Sequence, residues 1–143
     1  MGASVIAYWP GITEEQIESQ PGFYNDCKAW GDWMAEREAD PRAKEAVLAL
    51  GAGAILTHTT DGMTDEEVSW VTPQELRDAA ARLRKAVKAG LPGTDVILET
   101  YQRSANGVDQ LSEEFARDLE DVEALAVWAE SEGAEKMTIE VNW

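Results

Sequence analysis

The sequence predicts an α+β domain, a small mixed β-sheet flanked by four or five helices. Three observations carry that prediction. Apolar residues recur at helical spacing in four long stretches. Short runs of strand formers stand near both ends of the chain, Ser4 to Trp9 and Met137 to Val141. Gly and Pro punctuate the boundaries, yet no Gly/Ser/Pro tract is long enough for a linker, so residues 1–143 read as one domain.

The elements follow in order. Ser4 to Trp9 is an apolar run ended by Pro10 and Gly11, a strand. Thr13 can cap a short helix from Glu14 to Ser19, stopped by Pro21 and Gly22. Phe23, Cys27, Trp30 and Met34 fall on one helical face reaching about Glu38, widened by Trp33. Asp40-Pro41 is a cap followed by Pro at the first helical position; Ala43, Val47 and Leu50 supply the apolar side and Gly51 the stop. Ala54 to Thr59 and Glu66 to Val71 read as strands around an Asp61-Gly62 turn signal.

The next helix has the strongest local signature. Thr72-Pro73-Gln74-Glu75 is a capping box with Pro at the first position, and Leu76, Ala80, Leu83 and Val87 form the stripe. Its bases Arg82, Arg84, Lys85 and Lys88 come last, where the helix dipole favours them, and Gly90 and Pro92 end it. Asp95 to Tyr101 fits a buried strand or a helix, with Thr94 as a potential cap favouring helix. Ser112 is placed to cap a long helix to about Glu132, with Phe115, Leu119, Val122, Ala126 and Ala129 in one row and Gly133 closing it. Met137, Ile139 and Val141 then alternate with Thr138, Glu140 and Asn142, a half-buried strand expected to pair with or sit near the first.

Composition excludes several function classes. The chain carries 28 acids against 12 bases, a formal charge of −16, which argues against direct binding to nucleic acid or an anionic membrane. One Cys makes no internal disulfide, and with one His it makes no Cys/His zinc site. No apolar run approaches the length of a membrane span, and no secretory or myristoylation pattern is expected, so the expected setting is cytoplasmic. No dinucleotide fingerprint, P-loop, nucleophile elbow or zinc-protease motif is present.

The largest electrical feature is the last helix. Between Ser112 and Glu132 stand Glu113, Glu114, Asp118, Glu120, Asp121, Glu123, Glu130 and Glu132, against the single base Arg117. Glu114, Asp118 and Asp121 repeat at i, i+4, i+7, so like charges repel along one row by about 0.2–0.5 kcal/mol per pair. That pattern points to a face for a basic protein partner, with Glu113, Glu114, Asp118, Glu120, Asp121 and Glu123 as its residues. The plainer alternative is a solvated face that keeps an acidic protein dispersed.

His58 is followed closely by Asp61, Asp65, Glu66 and Glu67, which suggests a divalent-cation site or a general base oriented by a carboxylate. No calcium-loop spacing is present there, and an acidic turn at a strand end is the ordinary reading. Cys27 lies on an apolar row and reads as a small buried hydrophobe. Of the six tryptophans most fall on apolar faces, though an exposed one could anchor a partner.

The segments Val5-Ile6-Ala7-Tyr8-Trp9, Ile12-Thr13-Glu14-Glu15-Gln16-Ile17 and Trp70-Val71-Thr72-Pro73-Gln74-Glu75-Leu76 with Ala80 and Leu83 resemble the bacterial YfbM-like family. The closing helix-then-strand from Trp128-Ala129-Glu130 to Val141 is similar to that family's end. Of the family's Trp-containing helix and Leu/His-rich stretch, only Lys28-Ala29-Trp30 has a counterpart. The resemblance implies a small α+β bacterial protein of unknown biochemical function and brings no catalytic residues. By analogy at fold level, such acidic proteins can serve as immunity partners of toxins.

The expectation is therefore a non-enzymatic acidic binding protein of inhibitor or immunity type, needing no cofactor and holding no metal. The competing expectations are a small metal-dependent hydrolase using His58 and a self-associating structural subunit.

Overall fold

The computed structural model describes residues 4–21, 41–59, 64–105 and 111–142. The expected helix over 23–38, with Cys27, Trp30 and Trp33, lies outside the described residues, as do Asp40, the Asp61-Gly62 turn and Trp143. Strand β1 (Ser4–Tyr8) opens the described chain and β2 (Thr138–Asn142) closes it. Five α-helices lie between them: α1 (Glu14–Glu18), α2 (Pro41–Ala49), α3 (Pro73–Ala89), α4 (Thr94–Ala105) and α5 (Leu111–Ser131). The class is α+β, as the sequence predicts.

The two ends of the chain meet as an antiparallel pair, with Ser4 opposite Asn142 and Ala7 opposite Ile139. Apolar side chains of both strands are the adhesive, since Val5, Ala7, Ile139 and Val141 are all buried. The outer edge of β1 is covered at one residue by a side chain. The Ala7 amide donates to Gln20 Oε1 at 2.7 Å, and Gln20 Nε2 donates back to the Ala7 carbonyl at 2.9 Å. A buried primary amide thus stands in for one residue of a missing third strand.

The two strands expected over 54–59 and 66–71 do not form ladders. Gly53–Leu56 winds a 3-10 turn that drops Ile55 into the core. Thr64 to Glu67 closes a turn, with the Glu67 carboxylate accepting from the Thr64 amide at 2.8 Å. Each segment still makes a one-residue backbone bridge: Thr59 beside Glu140 of β2 in parallel sense, and Val71 with Met137, just before β2, in antiparallel sense. Among the described residues the sheet is therefore a two-stranded antiparallel pair rather than the mixed sheet expected, with the parallel Thr59 contact an isolated bridge beside it. Short apolar runs do not specify their own period, and here the tertiary contacts chose the turn. The Thr57 hydroxyl ties the two segments together by donating to the Ser69 carbonyl, and it lies 2.9 Å from the Thr138 hydroxyl.

Helical boundaries follow the caps. Thr13 and Gln16 form a complete capping box on α1, and Thr72 and Glu75 form one on α3. Gly90 ends α3 with φ +66°, where a side chain would be strained. Asp95 to Tyr101 is helical, with Thr94 as the first residue of α4 rather than its cap; its hydroxyl donates to the Leu91 carbonyl at 2.6 Å. α5 starts one residue before the expected cap Ser112.

α3 and α5 make the largest helix–helix contact. Leu76, Ala80, Leu83 and Val87 of α3 meet the row Phe115, Leu119, Val122, Ala126 and Ala129 of α5, and every one of them is buried. Both rows were legible as stripes. The sheet caps this pair, so α5 has one flank on α3 and another near α4, and its remaining face is outward.

Candidate functional site

The seven acids of α5, with Glu132 just after it, separate into groups according to what their neighbours offer. On the α3 flank, Arg84 grips Glu123 with two bonds, Nε to Oε2 at 2.9 Å and Nη2 to Oε1 at 3.3 Å. The pair is half-buried, and the carboxylate beside it raises the Arg84 guanidinium above its ordinary value through that hydrogen bond. Two helical turns away, Arg77 meets Glu130 at 3.6 Å in a more exposed contact. The helices run antiparallel, so Arg77 and Arg84, seven residues apart, face Glu130 and Glu123, also seven apart. Matched spacing lets two ion pairs form on one seam about 10 Å apart.

On the other flank, Asp118 points inward. It is 8% exposed, and the Tyr101 hydroxyl of α4 donates to its Oδ2 at 2.6 Å. The Tyr101 ring packs edge-on against Phe115 with centroids 4.8 Å apart. Burial pushes the Asp118 carboxyl up to about 6, the Tyr101 hydrogen bond opposes this, and Glu114 and Asp121 push it up further against a small opposing pull from Arg117. Glu114 itself pairs with Arg117 at 3.2 Å.

The row Glu114, Asp118, Asp121 is therefore not a continuous exposed stripe. Asp118 is buried, while Glu114 and Asp121 are half-buried. What α5 presents outward is Glu113 and Glu120, two turns apart on one line, with Glu130 and Glu132 beyond them. Among the described residues no base lies within ion-pair distance of Glu113 or Glu120. These two acids border an open groove of about 510 Å³ between α3 and α5, which Arg84, Lys88 and Arg117 share with them. The groove is of mixed charge, and Glu120 lies near enough to Arg84 to add to its stabilisation as a cation.

The His58 region has a different character. His58 is half-buried, and Asp65, Glu66 and Glu67 are exposed. Glu67 is engaged in its own turn. Asp61 lies outside the described residues. Among the described residues, no three His, Cys, Asp or Glu side chains stand close enough together to hold a metal ion.

Aromatic side chains are mostly structural. Trp9 is buried against Trp128, with ring centroids 5.4 Å apart. Trp70 is half-buried, with the Lys136 ammonium 5.1 Å above its ring and Tyr8 at 6.0 Å. Nearby Asp65 and Glu140, together with burial as the first cause, raise the Tyr8 phenol above its ordinary value. No helix among the described residues is long and apolar enough to cross a membrane.

Three residues that matter to this arrangement were not singled out as partners of the acids: Tyr101, Arg84 and Arg77. The arginines carried a readable signal, their seven-residue spacing mirrored in Glu123 and Glu130. Tyr101 carried none, because nothing local says that a tyrosine on one helix will reach a carboxylate on the next. Comparison with protein-family models, curated proteins and solved structures finds no match to this chain.

Proposed function

We propose that this protein is a non-enzymatic acidic binding protein, of inhibitor or immunity type, which recognises a basic protein through the outward face of α5. A bacterial, cytoplasmic setting belongs to the same proposal. One observation carries it: Glu113 and Glu120 stand outward with no base within ion-pair distance among the described residues, on a helix whose other acids are largely engaged with Arg77, Arg84, Arg117 and Tyr101. Leaving like charges exposed costs the free protein some stability, which a cationic partner relieves while also speeding encounter. Of the residues the sequence nominated, Glu113 and Glu120 are the accessible pair. Glu114, Asp121 and Glu123 flank them, and Asp118 supports the helix from inside.

The test is affinity capture from a lysate of the source organism at low and high salt, comparing the wild type with Glu113→Lys/Glu120→Lys. A basic protein retained stoichiometrically, shed by salt and lost with the variant is the expected result. Retention that ignores both salt and the charge reversal would remove α5 as the recognition face. Nothing retained by the wild type at either salt would remove the binding reading itself.

A further inference from the structure

The C-terminal half of α3 carries four bases and no acid between Arg82 and Ala89. Arg84 turns toward α5 and is neutralised there. Arg82 and Lys85 face the opposite flank, where they rim an open groove of about 500 Å³ whose floor includes Leu50, Ala89 and Leu91. Among the described residues neither cation has a carboxylate within ion-pair distance, in a chain where acids outnumber bases 28 to 12. The one acid in the lining, Asp78, accepts a hydrogen bond from Gln74 at 2.7 Å. Leu91 remains 45% exposed at the groove's end.

The Arg82 side chain reaches a neighbouring turn. Gly51, at φ +72°, ends the turn after α2, and a Cβ there would lie 2.7 Å from Arg82 Nη1. The guanidinium therefore lies beside the backbone of that turn, whose left-handed φ favours glycine. The groove pairs two exposed cations a turn apart with the apolar lining of Leu50, Ala89 and Leu91.

We propose that this groove binds a small soluble anionic amphiphile, an aliphatic carboxylate whose head lies between Arg82 and Lys85 and whose chain covers Leu50 and Leu91. The partial negative charge at the end of α3 offsets part of the two positive charges, so an ion without an apolar body is held weakly. The overall charge of −16 repels a polyanion far more than a single carboxylate, which disfavours nucleic acid and acidic protein segments. The groove's location on α3 and the turn after α2 makes this inference independent of the α5 face.

The experiment is an amide and arginine-side-chain NMR titration of the whole protein with octanoate, with octylamine and octanol as matched probes. Octanoate is expected to shift Arg82, Lys85, Ala89 and Leu91 saturably, with a dissociation constant of about 1 mM or tighter, and octylamine to leave them unmoved. Arg82→Gln/Lys85→Gln alters two exposed side chains and is expected to weaken octanoate about tenfold. Gly51→Ala is expected to weaken it less, through Arg82 alone. Unsaturable shifts, equal shifts from octylamine, or undiminished binding by the double variant would overturn the proposal. Sedimentation with phosphatidylglycerol vesicles in place of octanoate binding would overturn it in favour of a lipid surface.

Discussion

The two flanks of α5 treat the same kind of residue in opposite ways. Toward α3, carboxylates meet arginines at the seam's edge, where water still reaches both partners. Toward α4, Asp118 accepts from the Tyr101 phenol, whose ring packs on Phe115, and two carboxylates of its own helix lie nearby. One flank pairs charge with charge; the other buries a carboxyl that holds its proton more tightly than usual. The difference teaches that an acidic helix is not a single surface: what each carboxylate does is set by the group opposite.

Four perturbations test that contrast. Phe115→Ala should have the largest effect, because it empties a fully buried site and removes the ring against which Tyr101 packs. A loss of about 3–5 kcal/mol is expected in denaturant unfolding. A loss under about 1 kcal/mol would mean that the α4 flank contributes little to the fold.

Next comes pH. Asp118 in the native protein holds its proton more tightly than the ordinary carboxyl at 3.8, so folding favours the protonated form. Its stabilisation is complete below 3.8 and is lost as pH rises through about 6. A difference of that size is worth about 3 kcal/mol at most. Subtracting the stability profile of Asp118→Asn from that of the wild type isolates this group from the other carboxylates, and the difference should run downward with pH across that interval. A flat difference would show that Asp118 is solvated rather than sealed.

On the α3 flank, a double-mutant cycle on Arg84 and Glu123 should give a coupling of about 1 kcal/mol, since the pair is bidentate and half-buried. The same cycle on Arg77 and Glu130 should give less than about 0.5 kcal/mol, because that contact is longer and wetter. Equal couplings would erase the distinction between the inner and outer pairs of the seam.

Much of the architecture was legible from local chemistry alone. The caps Thr13 and Thr72, the stop at Gly90, the stripe of α3 and the row of α5 needed no long-range information, because capping and 3.6-residue periodicity are properties of neighbours in the chain. Strand assignments over 54–59 and 66–71 failed because a six-residue segment with three apolar residues suits a turn or a strand equally. Whether it extends then depends on how much free edge β2 has to share. The acidic helix was legible as charge, not as a site.

By itself, then, the sequence determined the α+β class, the caps of α1 and α3, the apolar stripes and the excess of negative charge, all but the last encoded within a few residues of one another. Only the tertiary structure decided that Asp118 lies inside against Tyr101, that Glu123 and Glu130 are engaged with arginines two elements earlier, and that Glu113 and Glu120 are left outward. Those outcomes depend on which helix lies opposite and in which direction it runs. A side chain's burial and its charge state are settled by groups distant in the chain, and no local pattern carries them.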